Sequence, residues 1–151
     1  PIMHDPSKYY ETPAVNMVWA LKESVSIMKE EGLKERYERH VKTAEAMQKA
    51  FEAMGFKILA DESCRAHTLS CVLYPEGIDD AEFRKIIAEE GAIVAGGLGA
   101  YAGKLFRMGH MGNVDNVDLV SALASVERTL YRLGKNVLGE GVKAFTENIS
   151  L

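Results

Sequence analysis

The sequence predicts an α+β fold in which helices cover one side of a small, mostly antiparallel sheet. Long segments with apolar residues at three- and four-residue steps indicate amphipathic helices. Shorter apolar segments bounded by glycine and proline indicate strands. Along the chain, two predicted helices come first, followed by strand, strand, helix, strand, strand and helix.

Length and composition exclude several classes of protein. A chain of 151 residues with 47% hydrophobic and 26% charged residues is expected to form one domain over residues 1–151. A net charge of -4 without a basic cluster argues against nucleic-acid binding. No apolar segment reaches the roughly 20 residues of a membrane-spanning helix. With only Cys64 and Cys71 as cysteines and no visible signal peptide, a reduced, cytoplasmic setting is expected.

The first predicted helix follows an irregular lead-in at residues 1–12. Thr12 is expected to cap this helix, Pro13 to open it and Gly32 to end it. Its predicted core positions have helical spacing: Val18, Leu21, Val25 and Met28. The same helix, with Trp19, is also a candidate for an apolar patch that stays exposed if a neighbouring domain is missing.

A second helix is predicted over residues 33–54, and strands over 56–60 and 67–74 follow it. The apolar series of this helix is Tyr37, Val41, Ala44, Met47, Phe51 and Met54. Beyond a turn at residues 75–77, Asp79 and Glu82 make a capping-box variant that opens the next helix.

That third helix is predicted over residues 79–90, and strands over 92–95 and 104–108 come next. Asn113 is expected to cap a helix over 113–133. Its predicted inward positions are Val117, Val120, Leu123 and Ala124. The tail, residues 134–151, is predicted to form one short amphipathic helix with Val142, Phe145 and Ile149 on its apolar side.

One arginine lies inside an apolar strand. Arg107 belongs to the segment 96–112, which contains six glycines. Strand alternation places it on one face with Leu105 and Gly109, and the glycine leaves room for a ligand to approach. Arginine is rarely buried without a partner, and its planar guanidinium matches a carboxylate or phosphate. A carboxylate-binding site and a structural ion pair explain these residues equally well.

The start of the first helix is a second candidate site. The first N–H groups of a helix lack internal partners and favour an anion, and the hydroxyls of Tyr9 and Thr12 could add hydrogen bonds to a phosphate. The simpler interpretation is that Thr12 only caps the helix while Tyr9 packs. Spacing alone favours the simpler interpretation.

Other chemical signatures are weak. Cys64, His67 and Cys71 include no C-x-x-C pair, so no metal site is expected, and Cys71 is expected to be a small core residue. His110 could act as a base, although a loop histidine near a turn is the commoner case. Gly96–Gly99 lacks the spacing of a dinucleotide-binding loop. No nucleophile–base pair stands out.

Taken together, several motifs resemble the C-terminal part of class V pyridoxal-phosphate aminotransferases, in the alanine–glyoxylate and serine–pyruvate branch. The resemblance is continuous over about residues 6–132. Its motifs are Tyr9-x-x-Thr12-Pro13, Glu30-Glu31-Gly32-Leu33, Arg39-His40, Gly96-Gly97-Leu98-Gly99 and the segment from Lys104 to Gly112. It implies the small domain of a fold-type I enzyme, normally a homodimer with its active sites at the subunit interface.

The resemblance implies roles for particular residues. Arg107 matches the arginine that binds the α-carboxylate of the substrate. Tyr9 and Thr12 match a pair that reaches the cofactor phosphate of the neighbouring subunit. The glycine loop from Gly96 to Gly99 matches a loop that closes near the active site. The implied reaction transfers an amino group between a small amino acid, alanine or serine, and a 2-oxo acid, glyoxylate or pyruvate.

No part of this chain matches the large domain of that family, which carries the lysine that forms a Schiff base with pyridoxal phosphate. Lys104 matches a different position. The chain is therefore expected to lack a catalytic residue of its own, to bind no cofactor alone, and to be an inactive fragment that needs the large domain as its partner. Two alternatives stay open: a non-catalytic binding or regulatory module, and an unrelated α+β domain with an ion-paired arginine.

Overall fold

A computed structural model describes residue 7 and residues 11–149. By its internal contacts the chain divides into two compact units, Pro1–Tyr37 and Glu38–Leu151. The first unit holds helix α1, Val15–Glu31, and the first residues of helix α2, Leu33–Ala53. The second unit holds the rest of α2 and all remaining elements.

Helix α1 begins later than the sequence predicts. Its N-cap is Ala14, which makes no side-chain capping bond, so the prediction that Thr12 caps the helix and Pro13 opens it is wrong. The Val15 N–H donates to the Pro13 carbonyl at 2.8 Å, which closes a tight turn in front of the helix. That turn keeps the chain out of helical geometry until Val15.

The apolar side of α1 is exposed. The helix has no buried residue, and Val18, Leu21 and Val25 are 60%, 62% and 43% exposed. The prediction that these residues face a core is therefore wrong. Trp19 is also 61% exposed, in agreement with the alternative of an open apolar patch. Helical spacing identifies an apolar stripe, but it does not say what covers the stripe.

The other predicted helices are present in the second unit. They are α3, Asp80–Glu89; α4, Asn116–Arg132; and α5, Glu140–Asn148, which lies in the tail. The Asp79 carboxylate accepts a hydrogen bond from Glu82 N at 2.9 Å and caps α3 as predicted. No helix in the described part of the chain has the length and apolar character needed to cross a membrane.

The predicted cap of α4 is wrong by two residues. Asp115, not Asn113, is the N-cap, and it forms a reciprocal capping box with Asp118. One oxygen of Asp115 accepts from Val117 N at 2.8 Å and from Asp118 N at 2.9 Å. A carboxylate that satisfies two otherwise unpaired N–H groups at a helix start is a better cap than a single amide.

Among the described residues, four antiparallel strands form the sheet, in the order β1-β2-β4-β3. Their bounds are β1, Lys57–Ile58; β2, Leu69–Leu73; β3, Ala95–Gly96; and β4, Leu105–Gly109. The central strands β2 and β4 agree with the prediction, whereas β1 and β3 are shorter, and β3 takes in Gly96 instead of ending before it. The α+β class and the antiparallel sheet are confirmed.

The core lies between one face of the sheet and the helices of the second unit. Phe106 of β4 is at its centre, with ring centroids 5.8 Å from Phe51, 5.5 Å from Phe56 and 5.1 Å from Phe83. Leu123 of α4 and Phe145 of α5 belong to the same cluster. These contacts leave the opposite face of β4 free of helices from this core.

Two further predicted core positions, outside α1, are also exposed. Tyr37 is 61% exposed and Val117 is 76% exposed. In α4 the inward position nearest the start is Leu119, which is 3% exposed. Val117 precedes Leu119 by two residues, which is about 200° around a helix, so the two side chains point in nearly opposite directions.

Candidate functional site

Arg107 lies in the middle of β4 on the sheet face that points away from the core. Its neighbours in register are Cys71 of β2 and Ala95 of β3. Phe106 and Met108 on either side of it belong to the core cluster, so alternation directs Arg107 to the other face, as the sequence predicts. Cys71 shares that face and is half-buried, outside the core cluster in which it was expected.

The Arg107 guanidinium is held at one nitrogen. Its Nε donates to the Gly96 carbonyl at 2.9 Å. No carboxylate of a described residue forms an ion pair with it, and its two terminal amino groups make no hydrogen bond to the described residues. The structural ion pair that the sequence left open is thus not found in this part of the chain. A half-buried guanidinium whose two amino groups have no partner among the described residues is suited to a bidentate anion.

The loop after β3 closes tightly because residue 97 is glycine. A Cβ atom on Gly97 would lie 2.0 Å from the Tyr101 carbonyl oxygen, a distance that no side chain tolerates. Gly99 adopts a positive φ of 55° and is the first residue of a short 3-10 helix, Gly99–Tyr101. Of the three glycines predicted to form an active-site loop, Gly96 lies in β3, whereas Gly97 and Gly99 lie in the loop itself.

An ion pair on α3, between Arg84 and Asp80, lies against Gly96 on the helix side of the sheet. Arg84 donates to both oxygens of Asp80, with its shortest bond at 2.8 Å, and Tyr74 donates to Asp80 at 2.9 Å. The bond from Arg84 holds the pKa of Asp80 below its usual value. Burial, with the Asp80 carboxylate beside it, raises the pKa of Tyr74. The group is therefore ionised at Asp80 and Arg84 and protonated at Tyr74 at neutral pH.

Ser70 and His110 form a hydrogen-bonded pair that sequence reasoning missed. Ser70 Oγ lies 3.0 Å from His110 Nε2, and each residue is 1% exposed. Burial lowers the pKa of His110 from 6.5 to about 4, so the ring is neutral. The atoms resemble a nucleophile and its base, but at this burial no substrate reaches them. The nearest signal in the sequence is a polar residue, Ser70, inside an apolar strand.

The segment after β4 is tied to α2. His40 Nε2 accepts a hydrogen bond from Gly112 N at 3.1 Å, and Arg39 donates to the Gly112 carbonyl at 2.9 Å. Both main-chain groups of Gly112 are thereby held by adjacent residues of one helix. The Arg39-His40 motif, to which the sequence assigned no role, therefore fixes the position of the chain leaving β4.

The predicted phosphate-binding pair is described only in part. Tyr9 lies outside the described residues. Thr12 is exposed, does not cap α1, and makes no hydrogen bond to the described residues. An open hollow lined by residues 13–17 lies at the start of α1. At this helix start Val15 N and Met17 N already donate to the carbonyls of Pro13 and Ala14, so Thr12 is not accompanied by a row of unpaired helix N–H groups.

The described residues offer no group of three or more histidine, cysteine, aspartate or glutamate side chains that could hold a metal. Cys64 is exposed and its thiol is directed to the Asp61 carbonyl at 3.4 Å.

Comparison with known proteins finds close relatives. An uncharacterized aminotransferase of Methanocaldococcus jannaschii is 40% identical over 148 residues, which cover 93% of this chain and 38% of that protein. Serine–glyoxylate aminotransferase of Methylorubrum extorquens is 34% identical over 144 residues, which cover 93% of this chain and 36% of that protein. No protein-family model matches the chain.

The fold gives the same result. The crystal structure of ureidoglycine–glyoxylate aminotransferase from Bacillus subtilis superimposes with a TM-score of 0.87 and 32% identity, over 95% of this chain and 38% of that one. The chain thus spans a little over a third of the length of these relatives. Because the likeness runs through nearly all of its sequence and fold, this chain is homologous to these aminotransferases over a part that corresponds to their small C-terminal domain.

Proposed function

We propose that this chain is the small domain of a pyridoxal-phosphate-dependent class V aminotransferase that transfers an amino group between a small amino acid and a 2-oxo acid. The observation that carries the proposal is the state of Arg107. It is half-buried, anchored through Nε to Gly96, and without a carboxylate partner among the described residues. The names of relatives that act on serine and glyoxylate support this substrate class.

Arg107 binds the carboxylate that both substrates share. Its two terminal amino groups donate in parallel to the two carboxylate oxygens, which holds the α-carbon at a fixed distance and orientation from the sheet. Since the amino acid and the 2-oxo acid carry the same α-carboxylate, one arginine serves both half-reactions. The hydrogen bond to the Gly96 carbonyl keeps the guanidinium of Arg107 in the same plane in both half-reactions.

Pyridoxal phosphate supplies the electron sink for amino transfer when it is bound, and the lysine that holds it belongs to the large domain. This chain supplies the carboxylate-binding arginine, the glycine loop beside it, and contacts to a second subunit. In a homodimer with the cofactor bound, Thr12 and Tyr9 would hold the cofactor phosphate of the partner subunit. The exposed apolar side of α1 supports the proposal that another part of the complete enzyme covers this helix. The setting is cytoplasmic.

The test is Arg107→Gln in the full-length enzyme that carries this domain. We expect kcat/KM for alanine to fall by roughly two to four orders of magnitude, a loss of ~3–5 kcal/mol, because a desolvated charge pair is broken. Arg107→Lys is the matched control: it keeps the charge but loses the planar pair of donors, and it should recover only part of the activity. Unchanged kinetics in Arg107→Gln exclude the carboxylate role.

A further inference from the structure

The Gly96 carbonyl is the group that orients Arg107 within the described part of the chain. Arg107 Nε donates to it at 2.9 Å, and the terminal amino groups have no described partner. Because a guanidinium is planar, a bond at Nε also sets the plane in which the amino groups present their protons. The position of this carbonyl therefore sets the geometry of carboxylate binding.

Gly97 restrains the Gly96 carbonyl, because this carbonyl belongs to the peptide group that joins Gly96 to Gly97. A Cβ atom on Gly97 would lie 2.0 Å from the oxygen and 2.7 Å from the carbon of the Tyr101 carbonyl. These are main-chain atoms, and the oxygen also accepts from Lys104 N at 3.1 Å, so they cannot move aside as a side chain would. On the other side, Gly97 N donates to the Leu105 carbonyl at 2.9 Å. The peptide is thus held between the loop and β4.

Arg84 restrains the same strand from the helix side. Its Nε and Cζ lie 3.3 Å and 3.4 Å from the place that a Cβ on Gly96 would occupy, so the guanidinium packs against bare backbone. Asp80 fixes the guanidinium with bonds of 2.8 and 3.1 Å. A shift of the strand at Gly96 toward α3 therefore meets the ion-paired Arg84 side chain.

We propose that Gly97 and Arg84 are positioning residues for carboxylate binding, and that they act by holding the Gly96 carbonyl where it orients Arg107. The proposal rests on the proposed function of Arg107 and extends it to residues that do not touch the substrate. A side chain at position 97 tilts or shifts the guanidinium without removing its charge. Loss of the Arg84 guanidinium removes the support behind Gly96.

The test compares alanine with ethylamine, which is alanine without its carboxylate, as amino donors of the full-length enzyme that carries this domain. The measured quantity is the ratio of the two kcat/KM values. Gly97→Ala should lower this ratio roughly tenfold to a hundredfold, because a small misplacement of a binding group has effects of that size. The rate with ethylamine should change little. Arg84→Ala should lower the ratio in the same direction by a smaller factor.

A binding measurement supplies a second readout. The dissociation constant of pyruvate, measured by calorimetry, should rise in Gly97→Ala in parallel with the loss of discrimination. In an Arg107→Gln background, Gly97→Ala should have no further effect on the ratio, since both changes act through one contact. Additive effects in that double variant overturn the proposal.

Gly141→Ala is the matched control, because Gly141 also lacks room for a Cβ atom. A Cβ there would lie 2.7 Å from Met54 Sδ, in the core and away from Arg107. It should lower stability and leave the ratio unchanged. If Arg107→Gln leaves the ratio unchanged, the proposed function is wrong. If Arg107→Gln lowers it but a folded Gly97→Ala does not, only the positioning role is wrong. Should Gly97→Ala not fold, an unchanged ratio in Arg84→Ala overturns the proposal.

Discussion

Ser70 Oγ and His110 Nε2 lie 3.0 Å apart at the end of the central strand pair, in a place from which solvent is almost excluded. The second ring nitrogen, Nδ1, has no hydrogen-bond partner among the described residues. A neutral ring tolerates this arrangement, whereas a charged ring would bury an unpaired N–H. The pair therefore stabilises the fold only while His110 stays unprotonated.

Stability should consequently depend on pH through His110. The pKa of the ring is lowered to about 4 in the folded chain, from 6.5. Between these values the unfolded chain takes up a proton that the folded chain does not, so the free energy of unfolding falls as the pH drops through this range. The loss is at most about 3 kcal/mol. Urea titrations at several pH values measure it. In His110→Gln the slope between pH 6.5 and 4 should be shallower, and an equal slope contradicts the assignment.

Glu127 should matter more for stability than an ordinary surface carboxylate. It is 4% exposed, and its oxygens accept from Gly139 N at 2.8 Å and Val142 N at 2.9 Å at the start of α5. Glu127→Ala should lower the free energy of unfolding by about 2–3 kcal/mol, since two donors lose a charged acceptor. Glu127→Gln should lose less.

Glu127→Ala should also loosen the C-terminal tail, which begins at residue 134. Limited proteolysis of Glu127→Ala should cut within residues 134–149 faster than in the parent chain, because α5 has lost its cap. Glu89→Gln is the control: this side chain is 46% exposed and pairs with Arg132 at the surface, so its removal should change stability by less than about 0.5 kcal/mol. Equal effects of Glu127→Ala and Glu89→Gln would refute the capping role.

Gly141 and Met54 should show coupled effects on stability. A Cβ on Gly141 would lie 2.7 Å from Met54 Sδ and 2.8 Å from Met54 Cε. Gly141→Ala should cost about 1–3 kcal/mol through overpacking. In a Met54→Val background, which lacks those atoms, the cost should be smaller, and thermal unfolding of the four chains in a double-mutant cycle measures the difference. Independent, additive costs would mean that the two residues do not press on each other.

The exposed side of α1 should contribute little to the stability of the chain itself. Trp19→Ser with Leu21→Ser should change the free energy of unfolding by less than about 0.5 kcal/mol, because surface substitutions seldom do more. Leu123→Ala in the core should cost about 2–5 kcal/mol. Chemical denaturation compares the two. A loss in the α1 variant close to that of Leu123→Ala would show that these side chains are covered.

Local patterns predicted the fold where local forces decide it. Helical spacing located α2 and α3, and strand alternation placed Arg107 on the face opposite Phe106. The wrong burial predicted for α1 has a different cause. Whether Val18 is buried depends on what lies beside α1, and spacing carries no information on that.

The site was predictable only in outline. Apolar neighbours and glycines singled out Arg107, but its anchor is a main-chain carbonyl, and no residue type signals a carbonyl acceptor. The Ser70–His110 pair joins β2 to the residue that directly follows β4, and it needs the register of β2 against β4. The buried position of Glu127 could have been predicted. It lies four residues after Leu123 and three before Leu130, which places it on the inward side of α4.

The two outer strands of the sheet have a consequence for how this domain meets other chains. β1 and β3 contain two residues each, and an outer strand with unpaired N–H and C=O groups is a template on which a foreign strand can add itself. A strand of two residues is too short for a foreign strand to pair with it in a fixed register. The domain can therefore present the half-buried Arg107 on one sheet face without inviting strand addition, and its associations are expected to use side chains instead of a shared β-ladder.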